Sequence, residues 1–72
     1  MNSKNAKHGI DIPVWHKMNL TVEEAAAYSN IGVNTISELV RQPDCDFVLY
    51  RGSKRLIKRE KFEEYIAHIH SL

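Results

Sequence analysis

The last third of the chain carries its clearest period. Phe62, Tyr65, Ile66 and Ile69 fall at i, i+3, i+4 and i+7, one apolar stripe of a helix beginning near Arg59. A second stripe, Ile36, Leu39 and Val40, predicts a shorter helix. Asn34 can cap it, and it should run to about Arg41 or Gln42 and be closed by Pro43. Upstream, Thr21-Val-Glu-Glu24 has capping-box spacing, and its two acids sit in the first turn, where the helix dipole favours negative charge. Ala25-Ala26-Ala27 extend that helix with residues small enough for another helix to approach closely. It should stop near Asn30, with Gly32 providing the break. Two short helices joined by a tight turn make a helix-turn-helix.

Between the second and third helices the pattern changes to that of strands. Two short apolar runs, Phe47 to Tyr50 and Leu56-Ile57, flank Arg51-Gly52-Ser53-Lys54-Arg55. A Gly-Ser pair between β-branched and aromatic residues predicts a β-hairpin. Pro43 to Asp46 reads as the loop leading into it, and Lys17 to Leu20 as a short extended segment before the first helix. Pro13 disfavours helix at Ile12, so Ile10 to Trp15 should enter extended. Trp15, the sole tryptophan, is expected to lie against the domain and clip the arm to it. Residues 1–9 are polar and without period, as in a mobile tail. Helix, turn, helix, hairpin, helix is the order of a winged helix-turn-helix. The expected class is α+β, with residues 10–72 as a single domain.

Composition adds bounds. Seventy-two residues at 43% hydrophobic and 26% charged make one ordinary globular domain, with net stability of roughly 3–5 kcal/mol expected at this size. No apolar run approaches the ~20 residues of a membrane span, and the N-terminus lacks the apolar centre of a signal peptide. The single cysteine, Cys45, excludes an internal disulfide and fits a reducing cytoplasm.

Charge changes the picture more. The net charge is only +1, yet residues 51–61 hold Arg51, Lys54, Arg55, Lys58, Arg59 and Lys61 against a single acid, Glu60. That segment is +5 and the remainder −4. Positive charge gathered on one hairpin suits a polyanion. On the second helix the apolar stripe leaves Asn34, Thr35, Ser37, Glu38 and Arg41 pointing outward.

Catalytic chemistry is not indicated. His68 and His70 are two apart and lie on different helix faces, His8 and His16 stand apart from them, and Cys45 has no partner at ligand spacing. Glu23-Glu24 and Glu63-Glu64 are adjacent acids on helix surfaces, explained by solvation and capping. No phosphate-cradling glycine loop, nucleophile elbow or catalytic dyad is present. The expectation is a non-enzyme with neither metal nor cofactor.

Several of these runs together resemble a known family. Asp11-Ile-Pro-Val-Trp, then Leu20-Thr-Val-Glu-Glu-Ala-Ala and Ile31-Gly, then Ile57-Lys-Arg with Phe62 and Ile66, are similar to the excisionases of conjugative transposons. These are small winged-helix proteins related to the DNA-binding domains of mercury-resistance-regulator type, and the resemblance spans about residues 10–70. It implies a double-stranded DNA binder that performs no chemistry. Such a protein occupies repeated sites near the ends of an integrated element, bends the DNA, and helps a tyrosine-recombinase integrase toward excision. The second helix would enter the major groove with Asn34, Thr35, Ser37, Glu38 and Arg41. The wing and its flank would meet the backbone or minor groove with Arg51, Ser53, Lys54, Arg55, Lys58 and Arg59. One departure stands out: Arg41 is the only cation on the second helix.

Further copies on adjacent repeats would supply the occupancy that one small footprint lacks. If about five hairpin cations meet phosphates, log K should fall against log salt with a slope of about −4.5. Two other uses fit the same sequence. One is a small winged-helix transcriptional regulator. The other is a protein-interaction adaptor whose last helix, with Tyr65, Ile69 and Leu72, docks a partner while the wing is merely solvated.

Overall fold

The computed structural model describes residues 11–72; the tail expected over residues 1–9 lies outside the described residues. After a single 3-10 turn at Val14–His16 come strand β1 (Asn19–Leu20) and helices α1 (Val22–Ser29) and α2 (Val33–Val40). Strands β2 (Val48–Arg51) and β3 (Lys54–Lys58) follow, and helix α3 (Arg59–His68) ends the fold. The three strands form one antiparallel sheet in the order β1-β3-β2. The class is α+β with a winged-helix layout.

Local chemistry explains the helix ends. Thr21 Oγ1 accepts from the Glu24 amide and Glu24 Oε1 accepts from the Thr21 amide, both at 3.0 Å, completing the capping box. α1 ends on Asn30, whose φ of 63° puts it in the left-handed region. The break was expected from Gly32, but Gly32 has φ −63°, which any residue adopts. Asparagine tolerates the left-handed conformation better than other side chains, so it takes the turn. Gly32 instead caps α2, its carbonyl accepting from the Ile36 amide at 3.1 Å. Asn34, expected as that cap, lies inside the first turn and is exposed. α2 closes through i→i+3 bonds from the Arg41 and Gln42 amides, each 3.2 Å.

The core is built from one or two residues of nearly every element. Leu20, Ala25, Ile36, Val40, Phe47, Ile57 and Phe62 are buried together. Phe47 ties the hairpin to α3, its ring 5.3 Å from that of Phe62 and 5.2 Å from that of Tyr65. Tyr65 and Ile66 pack against this cluster as their spacing predicts. Ile69 does not extend the stripe, because α3 stops at His68 and Ile69 is already extended.

The N-terminal arm differs from its expectation. Pro13 is extended, but the His16 and Lys17 amides then bond back to the Pro13 and Val14 carbonyls at 2.9 and 3.0 Å. That turn sends Val14 against the core and Trp15 outward, leaving Trp15 57% exposed. Valine is the clip.

Candidate nucleic-acid interface

The hairpin turns in two residues. Gly52 has φ +61° and Ser53 does not share a positive φ, the arrangement of a type II′ turn, which matches the twist of paired strands. The register sets Arg51 opposite Lys54 at the tip and Tyr50 opposite Arg55 behind it. Like charges directly opposite on a hairpin destabilise it. Arg51, Lys54, Arg55 and Lys58 are all exposed, and among the described residues none has a carboxylate within 4.0 Å. The fold gains nothing from this concentration of charge, which an external anion would relieve.

α2 presents a different chemistry. Asn34, Glu38 and Arg41 are exposed, and Thr35 and Ser37 half-buried. Arg41 Nη2 lies 2.5 Å from Glu38 Oε2, one turn away. The helix thus offers amide, hydroxyl and a locally neutralised ion pair, groups suited to hydrogen-bonding rather than to attracting phosphate.

The two halves of the predicted site meet through Ser37, Ser53, Lys54 and Arg55, whereas Asn34, Thr35, Glu38, Arg41, Arg51 and Lys58 lie outside the shared groove. A groove of about 370 Å³ runs between them, lined by Val33 and Ser37 of α2, Glu23 at the start of α1, and Ser53, Lys54 and Arg55 of the wing. Sequence separates Ser37 from Lys54 by seventeen positions; the fold puts both on the lining of one groove. Glu23 was not among the predicted site residues. Its place at the groove follows from the helix-turn-helix packing beside β3, which no local pattern in its neighbourhood announces.

Arg59 is elsewhere. Its Nε donates to the Lys17 carbonyl at 2.6 Å and its Nη1 to Glu63 at 3.1 Å, and the side chain is only 17% exposed. Glu63 also accepts from the Tyr28 hydroxyl. That bond holds the Glu63 carboxyl below its ordinary value, against the opposing effect of burial and with help from Arg59. The same bond raises the Tyr28 hydroxyl. Next to it, Lys17 Nζ lies 2.6 Å from Glu24 Oε2. Burial alone would raise the Glu24 carboxyl; the Lys17 ammonium and the Thr21 amide outweigh it and bring it below its ordinary value. This junction of β1, β3, α1 and α3 consumes two cations in holding the fold.

Among the described residues no three His, Cys, Asp or Glu side chains converge as metal ligands, and no helix is long and apolar enough to cross a membrane. His68 turns its Nδ1 to the Glu64 carbonyl at 2.7 Å.

Comparison with known proteins adds a family. The family profile described as "Excisionase from transposon Tn916" matches residues 4–71. A curated protein of the same name from Streptococcus agalactiae serotype V (strain ATCC BAA-611 / 2603 V/R) is 37% identical over 57 residues, covering 78% of this chain and 85% of that protein. No solved structure matches the chain. A match across nearly the whole chain, on a winged-helix fold with a basic wing, places this protein in the Tn916-type excisionase family.

Proposed function

We propose that this protein is an architectural, sequence-specific DNA-binding excisionase. It binds the ends of an integrated mobile element, bends them, and directs a tyrosine-recombinase integrase toward excision. It acts in the cytoplasm, on the nucleoid. The observation that carries the reading is the exposed charge of Arg51, Lys54, Arg55 and Lys58, without a carboxylate partner among the described residues, with Lys54 and Arg55 sharing one groove with Ser37 of α2.

The division of labour follows from the chemistry. Wing cations meet phosphates, which supply affinity and set orientation. Asn34, Thr35, Ser37 and the Glu38–Arg41 pair face base edges, where a carboxylate accepts from cytosine and an amide pairs with adenine. Ser53 at the turn adds a hydroxyl to the phosphate contacts. Lys58 extends the cationic face along β3, whereas Arg59 stays in the fold. No step of the recombination chemistry falls to this chain; the integrase cuts and joins. Several copies on adjacent repeats, each deforming the duplex, build a bend that the recombinase exploits.

Binding to a duplex from the element end, against a scrambled duplex and across salt concentrations, tests this. Four wing cations predict a log K against log salt slope of about −3.6, with preference for the element end. Absence of binding at low salt sinks the reading. A circular-permutation gel then reports bending, and an in vitro excision reaction with the integrase reports directionality.

A further inference from the structure

We infer that Tyr50 is a DNA-contacting residue of the wing, its ring packing on the deoxyribose wall of a groove while the cations beside it hold the phosphates. The inference rests on the DNA-binding reading above.

The three tyrosines of the chain have different fates. Tyr28 donates its hydroxyl to Glu63, and the Tyr65 ring stacks on Phe47. Tyr50 does neither: it is 62% exposed, and among the described residues its ring and hydroxyl have no partner. The fold makes no use of it. A strand residue can be aromatic merely because aromatics suit pleated surfaces, but its position argues for more. Arg55 stands directly opposite it on β3 and shares its face of the hairpin, while Arg51 and Lys54 form the next pair on the other face. Arg55 also lines the groove shared with α2. A phosphate held by Arg55 brings the carbon face of the adjoining sugar against the neighbouring side chain on the same face of the hairpin, and that is the Tyr50 ring.

Such a contact has a thermodynamic signature separable from that of the cations. A ring on a sugar releases no counterions, so it adds affinity without altering the salt slope. The phenol hydroxyl, already free in water, contributes little by comparison.

The test compares variants on the element-end duplex across salt. Tyr50→Ala should lose about tenfold in affinity at every salt concentration, as truncation of an aromatic anchor does. Its log K line should stay parallel to that of the wild-type protein. Tyr50→Thr, which retains a good strand former, should lose as much, separating lost contact from a weakened hairpin. Tyr50→Phe should bind within about twofold of wild type. Arg55→Ala should instead flatten the slope by about 0.9. Wild-type affinity in Tyr50→Ala and Tyr50→Thr overturns the inference and leaves the DNA reading standing. Tyr50→Phe failing as badly as Tyr50→Ala overturns it in favour of a hydroxyl–phosphate bond. A wild-type protein that does not bind removes both.

Discussion

Arg55 and Arg59 are four residues apart and sit in opposite surroundings. Arg55 stands at the wing, exposed and without a carboxylate partner among the described residues. Arg59 is drawn in, its guanidinium shared between a backbone carbonyl and Glu63. Topology makes the difference. β1 pairs with the end of β3, Asn19 opposite Lys58, and the Arg59 amide bonds the Met18 carbonyl at 3.0 Å. That brings the Lys17 carbonyl within reach of the Arg59 side chain just where the strand becomes a helix. A basic run in a sequence therefore overstates the charge available to a partner; each cation at a junction between elements is a candidate for internal use.

The largest effect should come from breaking the wing. Replacing Arg51, Lys54 and Arg55 together by Glu should reduce DNA affinity by at least about a hundredfold at moderate salt, since phosphate contacts carry most of the binding. Circular dichroism and the melting temperature should remain close to wild type. Retained binding would move the interface off the wing altogether.

A sharper comparison uses the two arginines singly. Arg59→Met should cost on the order of 2 kcal/mol of stability in urea, the scale for losing charge-assisted hydrogen bonds from a mostly buried group. Its salt slope in DNA binding should be that of wild type. Arg55→Ala should leave the unfolding midpoint in place and flatten the salt slope. If Arg59→Met flattened the slope as well, its guanidinium would have to leave the Lys17 carbonyl when DNA binds.

How far the sequence anticipated this follows from the same distinction. Elements set by local chemistry were legible: the Thr21–Glu24 box, the Gly52-Ser53 turn, and the Phe62, Tyr65, Ile66 stripe from Arg59 onward. The breaks were less so, because Asn30 and Gly32 both satisfy the requirements of a tight turn and only the traced backbone distinguishes which carries the positive φ. Trp15, the sole tryptophan after an extended entry, is expected to face inward, yet a 3-10 turn after Pro13 turns Val14 to the core and Trp15 outward. In the site, residue types and faces were readable. That Ser37, Glu23 and Arg55 share a groove was not, since it depends on β3 lying beside two helices. Nor could spacing show that Arg59 would be spent on a carbonyl forty-two residues away.

On α2 the smaller partner of this contrast can be probed. Glu38 occupies Arg41 at 2.5 Å, so the helix has no unpaired cation of its own. Glu38→Gln should free Arg41 for phosphate, raise affinity by about two- to fivefold and steepen the salt slope by nearly one. Preference for the element end over a scrambled duplex should fall if Glu38 reads a base as proposed, since the substitution exchanges that contact for a non-specific one. Undiminished preference would show that Glu38 reads no base.

The anchored junction also has a pH dependence that the wing lacks. Glu24 sits below its ordinary value of 4.5 because Lys17 and the Thr21 amide favour the carboxylate over what burial costs. A carboxyl depressed in the folded state contributes stability that is fully present above its unfolded value and disappears as pH falls through the folded one. Urea midpoints should therefore hold steady from pH 7 to about 5 and decline below about 4.5. Glu24→Gln keeps a side-chain oxygen for the Thr21 amide but loses the charge facing Lys17. It should be less stable than wild type by about 0.5–1 kcal/mol at neutral pH and converge with it as pH falls through the folded-state value of Glu24. Because Lys17 also holds Arg59 through its carbonyl, the variant compares directly with Arg59→Met: both weaken one junction, and neither should change the salt dependence of DNA binding. A parallel decline in wild type and Glu24→Gln throughout the acid range would assign the acid sensitivity to Glu63, the other carboxyl held below its ordinary value.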